Sequence, residues 1–106
     1  MVEAIELKIN KAIRMTVETG KIEAGTRDAE IASRSGKAKL VIVSSNCPKN
    51  KAEDLEHYCE LSKIPMYSHS ATSIELGSIC GKPFPITALT VFDPGNSNLL
   101  ELVKEG

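Results

Sequence analysis

Apolar residues at Ile5, Ile9, Ala12, Ile13 and Val17 recur at the spacing of one helical face, and Gly20 closes the run as a C-cap would. The pattern predicts a helix over 2–19. Lys21 to Ala24 reads as a short strand. Gly25-Thr26 then opens a second helix, with Thr26 as its expected N-cap and Gly36 as its stop. Leu40-Val41-Ile42-Val43 is an unbroken apolar run, the mark of a central strand buried on both faces. Ser44-Ser45-Asn46-Cys47 is an exit loop, and Pro48 stands where the first turn of a third helix tolerates proline. Leu55, Tyr58, Cys59, Leu61 and Ser62 are expected on the inner face of that helix.

Ile64 to Tyr67 reads as a short strand whose proline suits a start or an edge. Ser68 to Ser73 is polar loop, and Ser73 with Glu75-Leu76 begins a short fourth helix ending near Gly81. Lys82-Pro83-Phe84-Pro85 can continue neither helix nor ladder, because each proline removes a donor and fixes φ. Ala88 to Phe92 is the last strand, Asp93-Pro94-Gly95-Asn96 a turn, and Ser97 the expected start of a C-terminal helix. Strands alternating with helices predict an α/β fold, a sheet covered by helices on both faces. No repeat, linker or low-complexity segment intervenes, so one domain over 1–106 is expected.

Composition narrows the class. The chain is 42% apolar, enough to fold without disulfides or metal. No run approaches the ~18 apolar residues of a membrane span. The first twenty residues mix apolar and charged positions, including Glu3, Glu6 and Glu18, which suits neither a secretory signal nor a transit peptide. A cytoplasmic protein is the expectation. Cys47, Cys59 and Cys80 are odd in number and form no CxxC, so reduced, mostly buried thiols are expected rather than a disulfide framework or zinc site. His57 and Cys59 would point about 200° apart on a helix and could not grip one ion.

Net charge is −1, but it is unevenly spread. Residues 21–51 carry seven basic side chains against three acidic; residues 52–106 carry three against eight. Such segregation either decorates solvated helices or offers one basic face to a polyanion. Enzyme signatures are thin. Gly20 to Thr26 lacks the GxxxxGK[ST] order of a phosphate loop, although Gly25-Thr26 at a helix start could still present N–H groups to a phosphate. No nucleophile elbow is present. His57 reads as a packed or surface helix residue, and His69, in a polar loop, as solvent-exposed. Glu53, Asp54 and Glu56 read as a solvated acidic face.

Phe84 is one of two phenylalanines in a chain without tryptophan, and it is clamped between Pro83 and Pro85. It either plugs the sheet edge or presents its ring to a partner at low ordering cost. An exposed ring beside basic residues is what a splayed RNA base stacks on.

Five segments then resemble a known family: TGKIEAGTR (19–27), SGKAKLVIVSSNCP (35–48), EDLEHYCELSKIPMY (53–67), SIELGSICGKPF (73–84) and ALTVFDPGNSNLL (88–100). In order and spacing they resemble the L-thirty-e family of eukaryotic- and archaeal-type large-subunit ribosomal proteins, within the kink-turn RNA-binding superfamily. The low lysine content and short tail look more archaeal. The resemblance implies a three-layer α/β/α sandwich with a four-stranded mixed sheet. It implies binding of ribosomal RNA at a kink-turn, an internal loop that sharply bends two stems, with neighbouring large-subunit proteins as further partners. No catalysis, cofactor, metal or membrane is implied, and the chain is expected to be monomeric in isolation.

Carried over by position, the RNA contacts fall on Gly25, Thr26 and Arg27, on Asn46, on Lys49 and Lys51, on Ser73, and on Phe84, Pro85 and Thr87. Three positions depart from the family pattern. Ser73 replaces an asparagine of some members, Thr87 falls where glycine can occur, and Asp28 replaces a lysine of some archaeal members. Two other readings stand beside this one. A sister kink-turn protein of a guide-RNA particle tends to carry Asn-Glu where this chain has Arg27-Asp28. A small α/β nucleotide-binding enzyme would need a deep pocket with a perturbed titrating group instead of a shallow basic rim.

Overall fold

The computed structural model describes the backbone of residues 2–95 and 97–105 and the side chains of residues 7–95 and 97–102. Along the described residues run α1 (Val2–Thr19), β1 (Lys21–Ala24), α2 (Thr26–Ser35), β2 (Leu40–Val43), α3 (Lys49–Ser62), β3 (Met66–Ser68), α4 (Ser73–Ile79), β4 (Ala88–Asp93) and α5 (Leu99–Glu105). This is the order the hydrophobic pattern predicts.

The four strands form one mixed sheet in the order β1-β4-β2-β3. β2 and β3 are parallel, whereas β4 runs antiparallel to both of its neighbours, β1 and β2. The carboxyl ends of β1, β2 and β3 therefore share one end of the sheet with the start of β4. Helices α2, α3 and α4 all begin there, one after each of those strands.

Side chains alternate across a strand, so β2 serves two cores at once. Leu40 and Ile42 join Leu89 and Val91 beneath α1, α4 and α5, with Ile9, Ile13, Leu76 and Leu99 filling the layer. Val41 and Val43 join Ala88 on the opposite face, covered from α2 and α3 by Ala29, Ala32, Leu55 and Cys59. All four β2 residues are at most 2% exposed, as a central strand with helices on both faces requires. The result is the expected three-layer sandwich.

The α2–α3 layer is built from small residues, which lets the helices approach closely. Ser62 Oγ donates to the Ser33 carbonyl at 2.6 Å, and the Arg34 guanidinium lies 5.4 Å from the Tyr58 ring centroid. Thr90, on the same face of the sheet, is wholly buried, and its hydroxyl has no hydrogen-bond partner among the described residues.

Several boundaries differ from expectation for local reasons. Gly25, at φ +126°, is the α2 N-cap, and Thr26 is the first helical residue with no side-chain capping bond. Leu61 is 70% exposed, because the inner face of α3 follows Leu55, Cys59 and Ser62 at helical spacing and Leu61 falls off that stripe. β3 begins only at Met66, since Lys63 in the left-handed region and the Ile64 N–H bond to the Cys59 carbonyl close α3 first. α4 has Thr72 as N-cap in a full capping box with Glu75. α5 starts at Leu99, after Ser97 Oγ has turned back to the Pro94 carbonyl at 2.9 Å. Asn96, the last position of the expected turn, lies outside the described residues.

At the end of the sheet away from the helix starts, backbone packs on backbone. A Cβ on Gly20 would collide with the Asp93 carbonyl oxygen and sit 2.9 Å from the Gly95 nitrogen. Nearby, the buried Thr16 hydroxyl bonds the Ala12 carbonyl at 2.8 Å and Ser97 Oγ at 2.6 Å.

Candidate nucleic-acid interface

The opposite end is knitted by loops rather than by close-packed turns. The Gly25 N–H donates to the Ala88 carbonyl at 2.8 Å, and the Ser44 N–H to the Thr87 carbonyl at 2.9 Å. Ile86 N–H reaches the Ser73 carbonyl at 2.9 Å. Asn46 ties two loops together: its Oδ1 accepts from the Ser73 N–H at 2.8 Å and from Ser44 Oγ at 2.9 Å, while its Nδ2 donates to Ser73 Oγ at 3.2 Å. Both Oδ1 lone pairs are then used, and one amide hydrogen remains for an outside acceptor. Asn46 and Ser73 are both partly open to solvent.

Gly25 needs its glycine for conformation rather than for room. Its φ of +126° is one that side chains rarely adopt, yet the nearest atom to a hypothetical Cβ is Asp28 Oδ2 at 3.8 Å. The space above it is open, so a ligand can approach the first turn of α2.

Charge at the starts of α2 and α3 runs against helix stability. α3 has no acidic residue in its first turn and instead carries exposed Lys49 and Lys51 there. Cations beside the positive end of a helix dipole are unfavourable by a few tenths of a kcal/mol. Exposed Arg27 repeats the pattern in the first turn of α2, partly offset by exposed Asp28. An arriving polyanion turns this cost into attraction, because helix N-termini and cations then act together.

Phe84 is 49% exposed, so it does not plug the sheet edge. Its loop is fixed from behind. A Cβ on Gly77 would collide with the Phe84 carbonyl oxygen, and it would also lie 3.5 Å from Pro85 Cα. Only glycine lets α4 support the Pro-Phe-Pro backbone this closely. Ile74, Ser78, Lys82, Pro83, Phe84 and Pro85 line an open depression in front of it.

The structure thus places Gly25, Asn46, Ser73, Phe84, Pro85 and Thr87 in one hydrogen-bonded and packed group. Thr26 and Arg27 follow directly from it on α2, and Lys49 and Lys51 on α3. Sequence reasoning missed two neighbours. Ile74, between Ser73 and Glu75, is 72% exposed beside Phe84, and Gly77 reads in sequence only as a weak helix residue. Thr72, placed by sequence in the polar loop, caps α4, and its signal was the capping-box spacing Thr72-x-x-Glu75.

His69 is a correction. It is 4% exposed rather than solvated, with Nε2 2.6 Å from Asn10 Oδ1 and Nδ1 accepting the Ala71 N–H at 3.0 Å. Its partner on α1 is far off in sequence, so local polarity misleads. Cys59 and Cys80 are buried and Cys47 half-buried, all as free thiols. Burial pushes each thiol up; for Ser33-bonded Cys59 the hydroxyl opposes this, and Cys80 rises from 9.0 to about 11 against a small downward pull from Lys82.

A mixed sheet with helices on both faces, with cations, one half-exposed ring and open helix starts gathered at one end, defines an α/β/α sandwich with a basic loop end. Residues 7–101 match the profile described as the ribosomal protein L7Ae/L30e/S12e/Gadd45 family, and the chain belongs to that family. It is 50% identical over 99 residues to the large ribosomal subunit protein eL30 of Methanococcus maripaludis, a match covering 93% of this chain and 99% of the relative. It is similar at 49% over 102 residues to that of Methanocaldococcus jannaschii, covering 94% and 93%. The protein of the same name from Methanothermobacter thermautotrophicus is 46% identical over 97 residues, covering 92% and 99%.

Proposed function

We propose that this chain is a structural constituent of the large ribosomal subunit that binds a kink-turn in ribosomal RNA with the loop end of its sheet. It works in the cytoplasm beside other large-subunit proteins and is not an enzyme. The observation that carries the reading is the half-exposed Phe84 ring, held on a backbone braced by Gly77 beside Lys82. In this reading Phe84 stacks an unpaired base, with Pro85 and Ile74 flanking it. Asn46 offers its remaining amide hydrogen to a base edge, oriented by Ser73. Arg27, Lys49 and Lys51 attract phosphates, and Gly25, Thr26 and Thr87 form the floor against which the bent backbone lies.

The test is a salt titration of binding to a kink-turn RNA, with an uninterrupted duplex of the same length as control. Tight binding to the bent RNA alone is expected. The slope of log affinity against log salt should be shallower than about −7, since few cations sit at this end. Arg27→Ala should flatten that slope by about one unit if its partner is a phosphate. Equal affinity for duplex and kink-turn would sink the proposal.

A further inference from the structure

His69 lies between α1 and the segment leading into α4, and its bonds leave it one protonation state. Nδ1 accepts the Ala71 N–H at 3.0 Å and so carries no proton. In a neutral ring the hydrogen is then on Nε2, where it donates to Asn10 Oδ1 at 2.6 Å. The ring also meets Tyr67 in a T-shaped contact, with centroids 5.6 Å apart. The His69 N–H bonds the Val43 carbonyl at 2.9 Å, which ties the residue to the end of β2.

Ala71 passes this anchoring on. Its carbonyl accepts the Ser45 N–H at 2.8 Å, and the next residue along, Asn46, holds Ser73. The connection therefore runs from Asn10 on α1 through His69, Ala71 and Ser45 to the Asn46–Ser73 pair. Burying so polar a ring is costly unless its bonds are used, and here they fix a loop with no ladder of its own.

We propose that His69 is a positioning residue for the nucleic-acid interface: in its Nε2-protonated form it latches the Ala71 peptide and thereby sets the Asn46–Ser73 pair. The inference rests on the kink-turn reading for its functional consequence, but the latch itself can be tested without RNA.

Two substitutions separate its two bonds. Asparagine at 69 places Oδ1 where Nδ1 lies and keeps the Ala71 bond as an Asx turn. Glutamine places its amide near Nε2, which keeps the Asn10 bond and loses the Ala71 latch. With both variants assayed well below melting, His69→Gln should weaken kink-turn binding roughly tenfold, the loss expected from one misplaced polar contact. His69→Asn should stay within about twofold. Equal losses in the two, or none in the glutamine variant, overturn the proposal.

Amide exchange supplies the arm independent of RNA. Ala71 and Ser45 amides should exchange faster in His69→Gln and near the wild-type rate in His69→Asn; indistinguishable rates overturn the latch. If the wild type binds no kink-turn, the functional reading fails and this exchange result alone decides. If His69→Gln does not fold, a long-range ¹H–¹⁵N spectrum of the wild type decides: a bare Nδ1 upholds the proposal, and a proton on Nδ1 overturns it.

Discussion

The two ends of the sheet are built on opposite plans. At the closed end Gly20 and Gly95 bring backbone against backbone, and the Thr16 and Ser97 hydroxyls meet there while bonding the Ala12 and Pro94 carbonyls. At the loop end the backbone is held by scattered hydrogen bonds, through Gly25, Ser44, Asn46 and Ile86, and the space above Gly25 remains open. Substitution should therefore cost folding at one end and binding at the other. Gly77 is the exception that explains the rule, since it applies close packing at the loop end to brace the Phe84 loop.

The largest effect should come from the closed end. Gly20→Ala drives a methyl group into the Asp93 carbonyl and should cost about 3 kcal/mol or more of stability, read as a lower denaturant midpoint. The fraction that still folds should bind RNA as the wild type does. Phe84→Leu should do the reverse. It should lose ~1–3 kcal/mol of kink-turn affinity through lost stacking, while stability moves by no more than ~0.5 kcal/mol. A variant that melts early yet binds normally would make Phe84 a core residue and erase the contrast.

Two smaller effects test the interior that joins the ends. The Cys80 thiol is pushed up to about 11 by burial, so its neutral form is preferred in the fold. The Cys80 contribution to stability is then intact below pH 9, falls as the unfolded thiol ionises first, and is lost by about pH 11. Cys80→Ala should remove ~1–2 kcal/mol of that alkaline decline, measured as the difference between wild-type and variant melting curves across that window. An unchanged decline would mean that Cys80 is hydrated. Thr90→Val replaces a buried hydroxyl without a described partner and should stabilise by ~1 kcal/mol with RNA affinity unaltered. Destabilisation would reveal a water bonded at Thr90.

Element order was legible because β2 is a solid apolar run and α1 has a clean helical stripe. The loop cluster was legible mainly through resemblance, since nothing local in Asn46 or Ser73 announces that they meet across 27 residues. The burial of His69 is hidden in the sequence for a related reason: it depends on Asn10, which only the folded chain brings near. Leu61 differs from His69: its position off the Leu55, Cys59 and Ser62 stripe follows from helical geometry alone, and there phase outweighs hydrophobicity.

β4, placed between β1 and β2, also governs when the protein can assemble. During synthesis β1 emerges first but has no strand to pair with, because its neighbour is encoded some seventy residues later. Until β4 arrives, the nascent chain can form only the parallel β2–β3 pair and the helices around it. The last strand then closes the sheet and supplies Thr87 and Ala88 to the loop end in one event. Such long-range closure is slow compared with helix formation. A ribosome-stalled fragment ending before residue 88 should accordingly be recognised by proteases as unfinished and by RNA not at all.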